Sequence, residues 1–111
     1  MAFLFENLEV YKKAIAFADE ISDLADVFSK GNYYLTDQLN RAALSIATNI
    51  AEGNGRYGKA ERKNFFRISR GSAFECIPIL ELCKRKKLIG EERHKALKEI
   101  LKIFAKCFQG S

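Results

Sequence analysis

The chain has 111 residues, a mass of 12.6 kDa and 48% hydrophobic residues, which together predict one globular domain with a single core. One proline, seven glycines and no tryptophan argue against a β-sandwich or β-barrel, whose many turns need more turn-forming residues. The net charge of +5 is uneven, because residues 1–55 carry four basic and eight acidic side chains while residues 56–111 carry fifteen and six. This asymmetry indicates either a polyanionic partner for the second half or acidic helices pairing with basic ones inside the domain.

Four helices are predicted from the periodicity of the apolar residues. The first covers about residues 6–29, and its apolar seam recurs at spacings of three and four: Val10, Ala14, Phe17, Ile21, Leu24 and Phe28. A second apolar strip lies beside this seam and consists of Leu8, Tyr11, Ile15, Ala18 and Ala25. Because two strips are wider than one bundle seam requires, we expect the first helix to be covered by a further surface.

The remaining helices follow from turn residues as much as from periodicity. The second covers residues 36–52, with Thr36 as its N-cap, and the glycine-rich residues 53–58 end it. The third covers residues 59–87 and contains Pro78, which predicts a kink, and the fourth covers residues 91–108. Short connections between four amphipathic helices predict an all-α fold, a single antiparallel up-down-up-down four-helix bundle over residues 1–111. No apolar run is long enough for a transmembrane helix.

One polar stripe runs along the second helix, where Arg41, Ser45, Asn49 and Glu52 follow each other at helical spacing. The stripe borders the apolar face, so we expect these side chains to be partly buried and the two charges to be paired. Glu75 on the third helix is the candidate partner of Arg41. We interpret the stripe as a structural hydrogen-bond ladder between helices or subunits, and a ligand-binding or catalytic row is the alternative.

Two groups of basic residues are candidates for nucleic-acid binding. The first recurs every three or four residues, with Arg62 beside it: Arg56, Lys59, Lys63, Arg67 and Arg70. Such a row can follow a phosphate backbone, or it can be an ordinary solvated helix face. Phe65 and Phe66 are interleaved with it, and their helical spacing predicts core packing.

The second basic group is a compact run at the end of the third helix: Lys84, Arg85, Lys86 and Lys87. Positive charge at a helix C-terminus also suits the helix dipole, which gives this run a structural explanation beside the functional one. No zinc-finger spacing, RNA-recognition signature or helix-turn-helix pattern is present, so recognition of a specific base sequence is not predicted.

The sequence offers little for catalysis, and we expect a protein that is not an enzyme and has no cofactor and no metal. Its one histidine, His94, lies among charged residues and is expected to be exposed. Cys76, Cys83 and Cys107 form no CxxC pair, so core packing is a better prediction than a zinc site. Three unpaired cysteines also suit a reducing, cytoplasmic environment.

Three segments of the sequence resemble the signatures of one family. They are residues 5–14, with the sequence FENLEVYKKA, residues 35–53, which run from LTDQL to NIAEG, and the pair Gly71 and Ser72 followed by Glu75. Together they resemble the four-helix-bundle proteins known as 23S rRNA intervening sequence proteins, over nearly the whole chain. Residues 28–34 lack the proline and glutamate often found there, and Pro78 is unusual, which leaves the subgroup open.

The resemblance implies a small cytosolic bacterial protein that is an antiparallel four-helix bundle assembled as a homopentameric ring. Some members are encoded inside insertions of the large ribosomal RNA gene. A similar bundle is the accessory variability determinant of diversity-generating retroelements, a basic pentamer that binds a reverse transcriptase and nucleic acid. For most members the biochemical role is not established.

Two functions are therefore expected from the sequence. One is a homo-oligomeric accessory protein that binds RNA or DNA through its basic face. The other is a scaffold that docks a partner enzyme, such as a reverse transcriptase, without touching nucleic acid itself.

Overall fold

The apolar periodicity of the sequence becomes four α-helices in the computed structural model, which describes residues 3–28 and 30–107. A 3-10 turn, Leu4–Asn7, precedes α1 (Glu9–Ala25), and a second one, Lys30–Asn32, leads into α2 (Tyr33–Asn54). α3 (Lys59–Arg85) and α4 (Glu91–Cys107) follow. The described residues contain no β-strand, so the all-α prediction with four helices is confirmed.

One hydrophobic core lies between the four helices. α2 packs most extensively against α3, α1 packs against α2, α3 against α4, and α1 also contacts α4. The predicted seam of α1 is buried at Ala14, Phe17, Ile21 and Leu24. At the centre, the rings of Phe17 and Phe104 meet edge to face with 6.1 Å between their centroids. No helix of the described part of the chain is long and apolar enough to cross a membrane.

Helix starts differ from the predicted ones at α1 and α2. α1 begins at Glu9, because residues 4–7 form a separate 3-10 turn. α2 begins at Tyr33 with Asn32 as its N-cap, so the prediction of Thr36 as the N-cap is wrong. Thr36 lies inside the helix and is buried, and its hydroxyl donates to the backbone carbonyl of Tyr33 at 2.8 Å. The predicted last residue of α4, Phe108, lies outside the described residues.

α3 continues through Pro78 as one helix of 27 residues. Proline has no N–H, so the carbonyl of Phe74 loses its usual helical donor. Pro78 lies on the exposed side of the helix. The helix ends in two backbone hydrogen bonds, from Leu88 N–H to the Cys83 carbonyl and from Lys87 N–H to the Lys84 carbonyl. This pattern is a Schellman motif, and it places Lys87 in the left-handed region with φ 64°.

Candidate nucleic-acid interface

Three basic side chains follow one side of α3 from its first residue. Lys59, Lys63 and Arg67 are spaced by four, and each step of four turns by about 40° around the helix. Lys59 and Arg67 are exposed and Lys63 is half-buried. Within the described part of the chain none of the three forms an ion pair, so their positive charge is available to a ligand.

The other two members of the predicted row are held by contacts within the protein. Arg56 donates to the Glu52 carboxylate at 2.9 Å and lies over the ring of Phe65, 4.8 Å from its centroid. Arg70 lies 4.8 Å from the centroid of the Phe74 ring, and its Nε donates to the Ala105 carbonyl of α4 at 3.4 Å. The row of five is therefore three unpaired cations flanked by two arginines with structural contacts.

An open groove lies at the start of this row. It measures about 430 Å³ and is lined by Tyr57, Lys59, Arg62, Lys63 and Phe66. The Tyr57 side chain is fully exposed in the turn between α2 and α3. Tyr57 is not among the residues predicted from the sequence to bind nucleic acid. The signal in the sequence that could have indicated Tyr57 as a binding residue is its position between Arg56 and Lys59, in a turn where no apolar periodicity predicts burial.

The two interleaved phenylalanines are half-buried, and Phe66 packs against the core as predicted, whereas Phe65 lies outside it. Phe66 packs against α2 at Gly53, where a Cβ would come within 2.6 Å of the ring. Phe65 lies under the Arg56 guanidinium. Phe66 therefore contacts α2, and Phe65 contacts the turn that follows α2.

The second basic group, residues 84–87, lies at the opposite end of α3. Lys84 is fourteen positions after Arg70, a distance of about 21 Å along the helix axis. Arg85 donates to Glu81 at 3.1 Å, and Lys86 and Lys87 are exposed. An open hollow of about 500 Å³ is lined by Lys84, Lys87, Leu88, Ile89, Gly90 and Glu91. The two basic groups are thus separate surfaces of one subunit, and Glu91 offsets part of the charge of the second.

The middle of the predicted polar stripe lies between α2 and α3. The Ser72 hydroxyl donates to the Ser45 hydroxyl at 2.7 Å, and Asn49 Nδ2 donates to the same hydroxyl at 2.9 Å. A neighbouring contact joins the same helices, since the buried Ser69 hydroxyl donates to the Ile46 carbonyl at 2.8 Å. The hydroxyl groups of Ser69 and Ser72 therefore connect the two helices, in agreement with a structural role for the middle of the stripe.

The two ends of the stripe, Arg41 and Glu52, differ from the prediction that they are partly buried. Arg41 and Glu52 are exposed, and so is Glu75, so the expected burial is wrong. The expected ion pair between Arg41 and Glu75 does not occur in the described structure. Both ends of the stripe point outward on α2, away from the helix contact, and Glu52 pairs with Arg56 in the next turn of the chain.

His94 also corrects the prediction, since its side chain is only 5% exposed. Its charged neighbours in sequence face the solvent, whereas position 94 shares a helix face with the buried Leu97 and Leu101. Nε2 lies 3.6 Å from Oε1 of Glu81 and has no hydrogen-bond partner among the described residues. Burial and the nearby Lys84 lower the pKa of His94 below its ordinary value of 6.5.

The cysteines divide into two buried residues and one exposed residue. Cys76 and Cys83 pack in the core as expected, and burial raises the pKa of the Cys76 thiol to about 12 and also raises that of Cys83. Cys107 is exposed, contrary to the expectation of core packing. The described residues contain no cluster of three side chains that could hold a metal ion.

Residues 6–110 match the family described as 23S rRNA-intervening sequence protein. The chain belongs to this family. A crystal structure of a protein of unknown function from the S23 ribosomal protein family of Bacteroides thetaiotaomicron VPI-5482 is similar, with a TM-score of 0.83. The two chains are 26% identical, and the match covers 89% of this chain and 94% of the other. No curated protein matches the chain.

The segments that resemble the intervening sequence proteins mostly build the contact between α2 and α3. Ala42, Ala43 and Ile46 are buried in the core, Gly53 makes room for Phe66, and Ser72 reaches Ser45. The unpaired cations of α3 lie outside these segments. The residues shared with the family therefore explain the packing of α2 against α3. The candidate binding residues are surface residues outside the shared segments.

Proposed function

We propose that this member of the 23S rRNA-intervening sequence protein family is a non-enzymatic, homo-oligomeric accessory protein that binds the backbone of RNA or DNA. The observation that carries the proposal is the row of Lys59, Lys63 and Arg67, which has no carboxylate partner in the described structure. Phosphates neutralised by such side chains release their counterions, which makes binding favourable and dependent on salt. Phosphate contacts carry no sequence information, so the proposed binding depends little on base sequence.

A non-enzymatic role agrees with the chemistry of the side chains that could react. His94 is buried with a lowered pKa, and the thiols of Cys76 and Cys83 are buried with raised pKa values. A buried thiol with a raised pKa is a poor nucleophile because the reactive form is the thiolate. The three free thiols also support our proposal of a cytoplasmic location.

We further propose an antiparallel up-down-up-down bundle that assembles as a homopentameric ring. The antiparallel arrangement is supported by two contacts in which residue numbers rise on α2 and fall on α3, Ser45 with Ser72 and Ile46 with Ser69. Assembly is supported by α1, where Leu8 and Ile15 of the second apolar strip are exposed in the subunit. A ring repeats the basic row in every subunit, and simultaneous contacts raise the apparent affinity for a long strand.

Fluorescence anisotropy with a labelled 20-nucleotide strand, measured from low to high salt, tests the nucleic-acid proposal. The triple variant Lys59→Gln, Lys63→Gln and Arg67→Gln should bind at least tenfold more weakly at low salt and show a shallower salt slope. Arg56 and Arg70 are left unchanged because their contacts within the fold would confuse the result.

A matched control separates local binding from net charge. Lys13→Gln, Lys95→Gln and Lys106→Gln remove an equal number of charges from exposed positions on α1 and α4 that form no ion pair in the described structure. This control should bind nearly as the wild type does. An equal loss in both triple variants would show that only net charge matters and would overturn the assignment to α3.

The second candidate function is a scaffold that docks a partner enzyme such as a reverse transcriptase. The observation that favours it is a set of exposed apolar side chains on α2 and α3: Leu44, Ile68, Phe74 and Leu82. A wild-type protein that binds neither single- nor double-stranded nucleic acid at low salt would contradict the first proposal and favour the scaffold.

A further inference from the structure

We propose that Tyr57 stacks on a base of single-stranded nucleic acid, and that the groove beside it holds the adjoining phosphates. This inference rests on the proposed function, and it names the class of nucleic acid that the site prefers. It adds an exposed aromatic side chain to the basic surface of α3.

The groove brings one free aromatic ring together with three cations. Tyr57 is fully exposed, so its ring faces are open to a ligand. Lys59, Arg62 and Lys63 line the same groove. A positively charged groove combined with an exposed aromatic side chain is the usual composition of sites for single strands, in which bases stack on the ring and cations follow the backbone.

The base of the groove is held in place from α2. Phe66 lines the groove and packs against Gly53, where the missing Cβ allows the ring to approach the helix. Tyr57 itself lies in the short turn between the C-cap Gly55 and the N-cap Gly58. The turn that carries Tyr57 is therefore anchored at both ends by packed helices, which limits the backbone disorder that binding would have to remove.

A duplex cannot use Tyr57 in the same way. Base faces in a double helix are covered by their neighbours, so the ring could reach only sugar and phosphate, whereas a single strand presents unstacked faces. We therefore expect Tyr57 to contribute to the binding of single strands and not to the binding of a duplex.

Three probes of equal length test this inference: oligothymidine, an abasic strand with the same phosphates, and a duplex. Tyr57→Ala should bind oligothymidine about tenfold more weakly, and its affinity for the abasic strand and the duplex should equal that of the wild type. Tyr34→Ala is the matched control, because Tyr34 is 54% exposed near the start of α2, away from the groove, and the substitution should change none of the three affinities.

Tyr57→Trp adds a direct signal, because the chain contains no other tryptophan. Stacking should quench the indole fluorescence when oligothymidine is added, and the abasic strand should leave it unchanged. This variant should bind oligothymidine at least as tightly as the wild type.

The outcomes separate the inference from the proposed function. If Tyr57→Ala binds oligothymidine like the wild type while binding stays salt-dependent, the stacking site is wrong and the basic row stands. Equal weakening for oligothymidine and the abasic strand would also overturn stacking, since the ring would then act by ordering the turn. If the wild type binds none of the probes at low salt, both proposals fail.

Discussion

Gly53 on α2 and Phe66 on α3 are in contact because position 53 carries no side chain. A Cβ built on Gly53 would lie 2.6 Å from Cε1 of Phe66, closer than non-bonded carbon atoms approach. The contact lies directly behind the groove that holds Tyr57 and Lys63. The spacing of the two central helices and the shape of the candidate interface thus depend on the same glycine.

Gly53→Ala should lower the free energy of unfolding by about 1 kcal/mol. Alanine is favoured over glycine inside a helix by about 1 kcal/mol, but crowding the Phe66 ring costs about 1–3 kcal/mol and outweighs that gain. Chemical denaturation followed by circular dichroism measures the change. The control is Gly71→Ala, where no atom lies within 4 Å of the added Cβ and the protein should gain about 0.5–1 kcal/mol. A stabilised Gly53→Ala protein would contradict the described contact.

Lys87→Gly should stabilise the protein by about 1 kcal/mol, although it removes a surface charge. Lys87 has φ 64°, a left-handed conformation that costs a lysine about 1 kcal/mol and costs glycine very little. Thermal unfolding measures the gain. Lys86→Gly is the matched control, because Lys86 has φ −83° and gains nothing from glycine. A destabilised Lys87→Gly protein would show that the lysine side chain makes a contact that outweighs the backbone strain.

His94 should make the protein less stable as the pH falls below about 6.5. Burial, together with Lys84 on α3 and Lys98 on α4, lowers the pKa of His94 in the folded state, against the opposing effect of Glu81 and Glu91. The unfolded chain therefore takes up a proton before the folded chain does, so the stabilisation is complete above the ordinary pKa of 6.5 and is lost below it.

The measurement for His94 is the melting temperature between pH 7.5 and pH 5.5. His94→Gln, which cannot titrate, should show a smaller decrease over this range than the wild type. Stopping at pH 5.5 keeps the comparison above the ordinary carboxylate range, where Glu81 and Glu99 have lowered pKa values. Identical slopes for the two proteins would contradict the unpaired, buried histidine.

The sequence predicted the fold well because apolar spacing reports directly on which helix face is buried. The predicted residues of the α1 seam within the helix are all half-buried or buried, and the apolar residues Leu39, Ala43 and Ile50 of α2 lie in the core. The charge of neighbouring residues in the sequence predicted burial less well. His94 stands among charged residues but is buried, because its position relative to Leu97 decides its direction and its neighbours in sequence do not.

The candidate site was predicted in part. The spacing of Lys59, Lys63 and Arg67 was enough to place them on one side of a helix. It did not reveal that Arg70 contacts α4 or that Arg56 pairs with Glu52, because these partners depend on packing and on the turn after α2. Tyr57 was not predicted for a different reason: the exposure of a side chain in a turn leaves no periodic pattern in the sequence.

Ser69→Ala should be more harmful to stability than Arg41→Ala, although the sequence predicts that Arg41 is partly buried and paired. The buried Ser69 hydroxyl bonds the Ile46 carbonyl across the helix contact, and its loss should cost about 1 kcal/mol. Arg41 is exposed and has no ion pair in the described structure, so its replacement should change the free energy of unfolding by less than about 0.5 kcal/mol. Denaturant titration at one protein concentration compares the two. A large effect of Arg41→Ala would place Arg41 in a subunit contact.

The exposed residues of the second apolar strip, Leu8 and Ile15, should be needed for the proposed ring. Gel filtration with light scattering should give the wild type a mass about five times the 12.6 kDa of one chain. Ile15→Glu places a charge on the exposed strip beside Leu8, where burial between subunits would cost several kcal/mol, and should yield monomers. Ala16→Glu is the control, because Ala16 is exposed about 100° further around the helix and its variant should keep the wild-type mass.

A monomeric wild type at micromolar concentration would contradict the assembly. An oligomer that survives Ile15→Glu would instead assign the contact to another surface, for which Leu44 and Ile68 are the next exposed apolar residues to test.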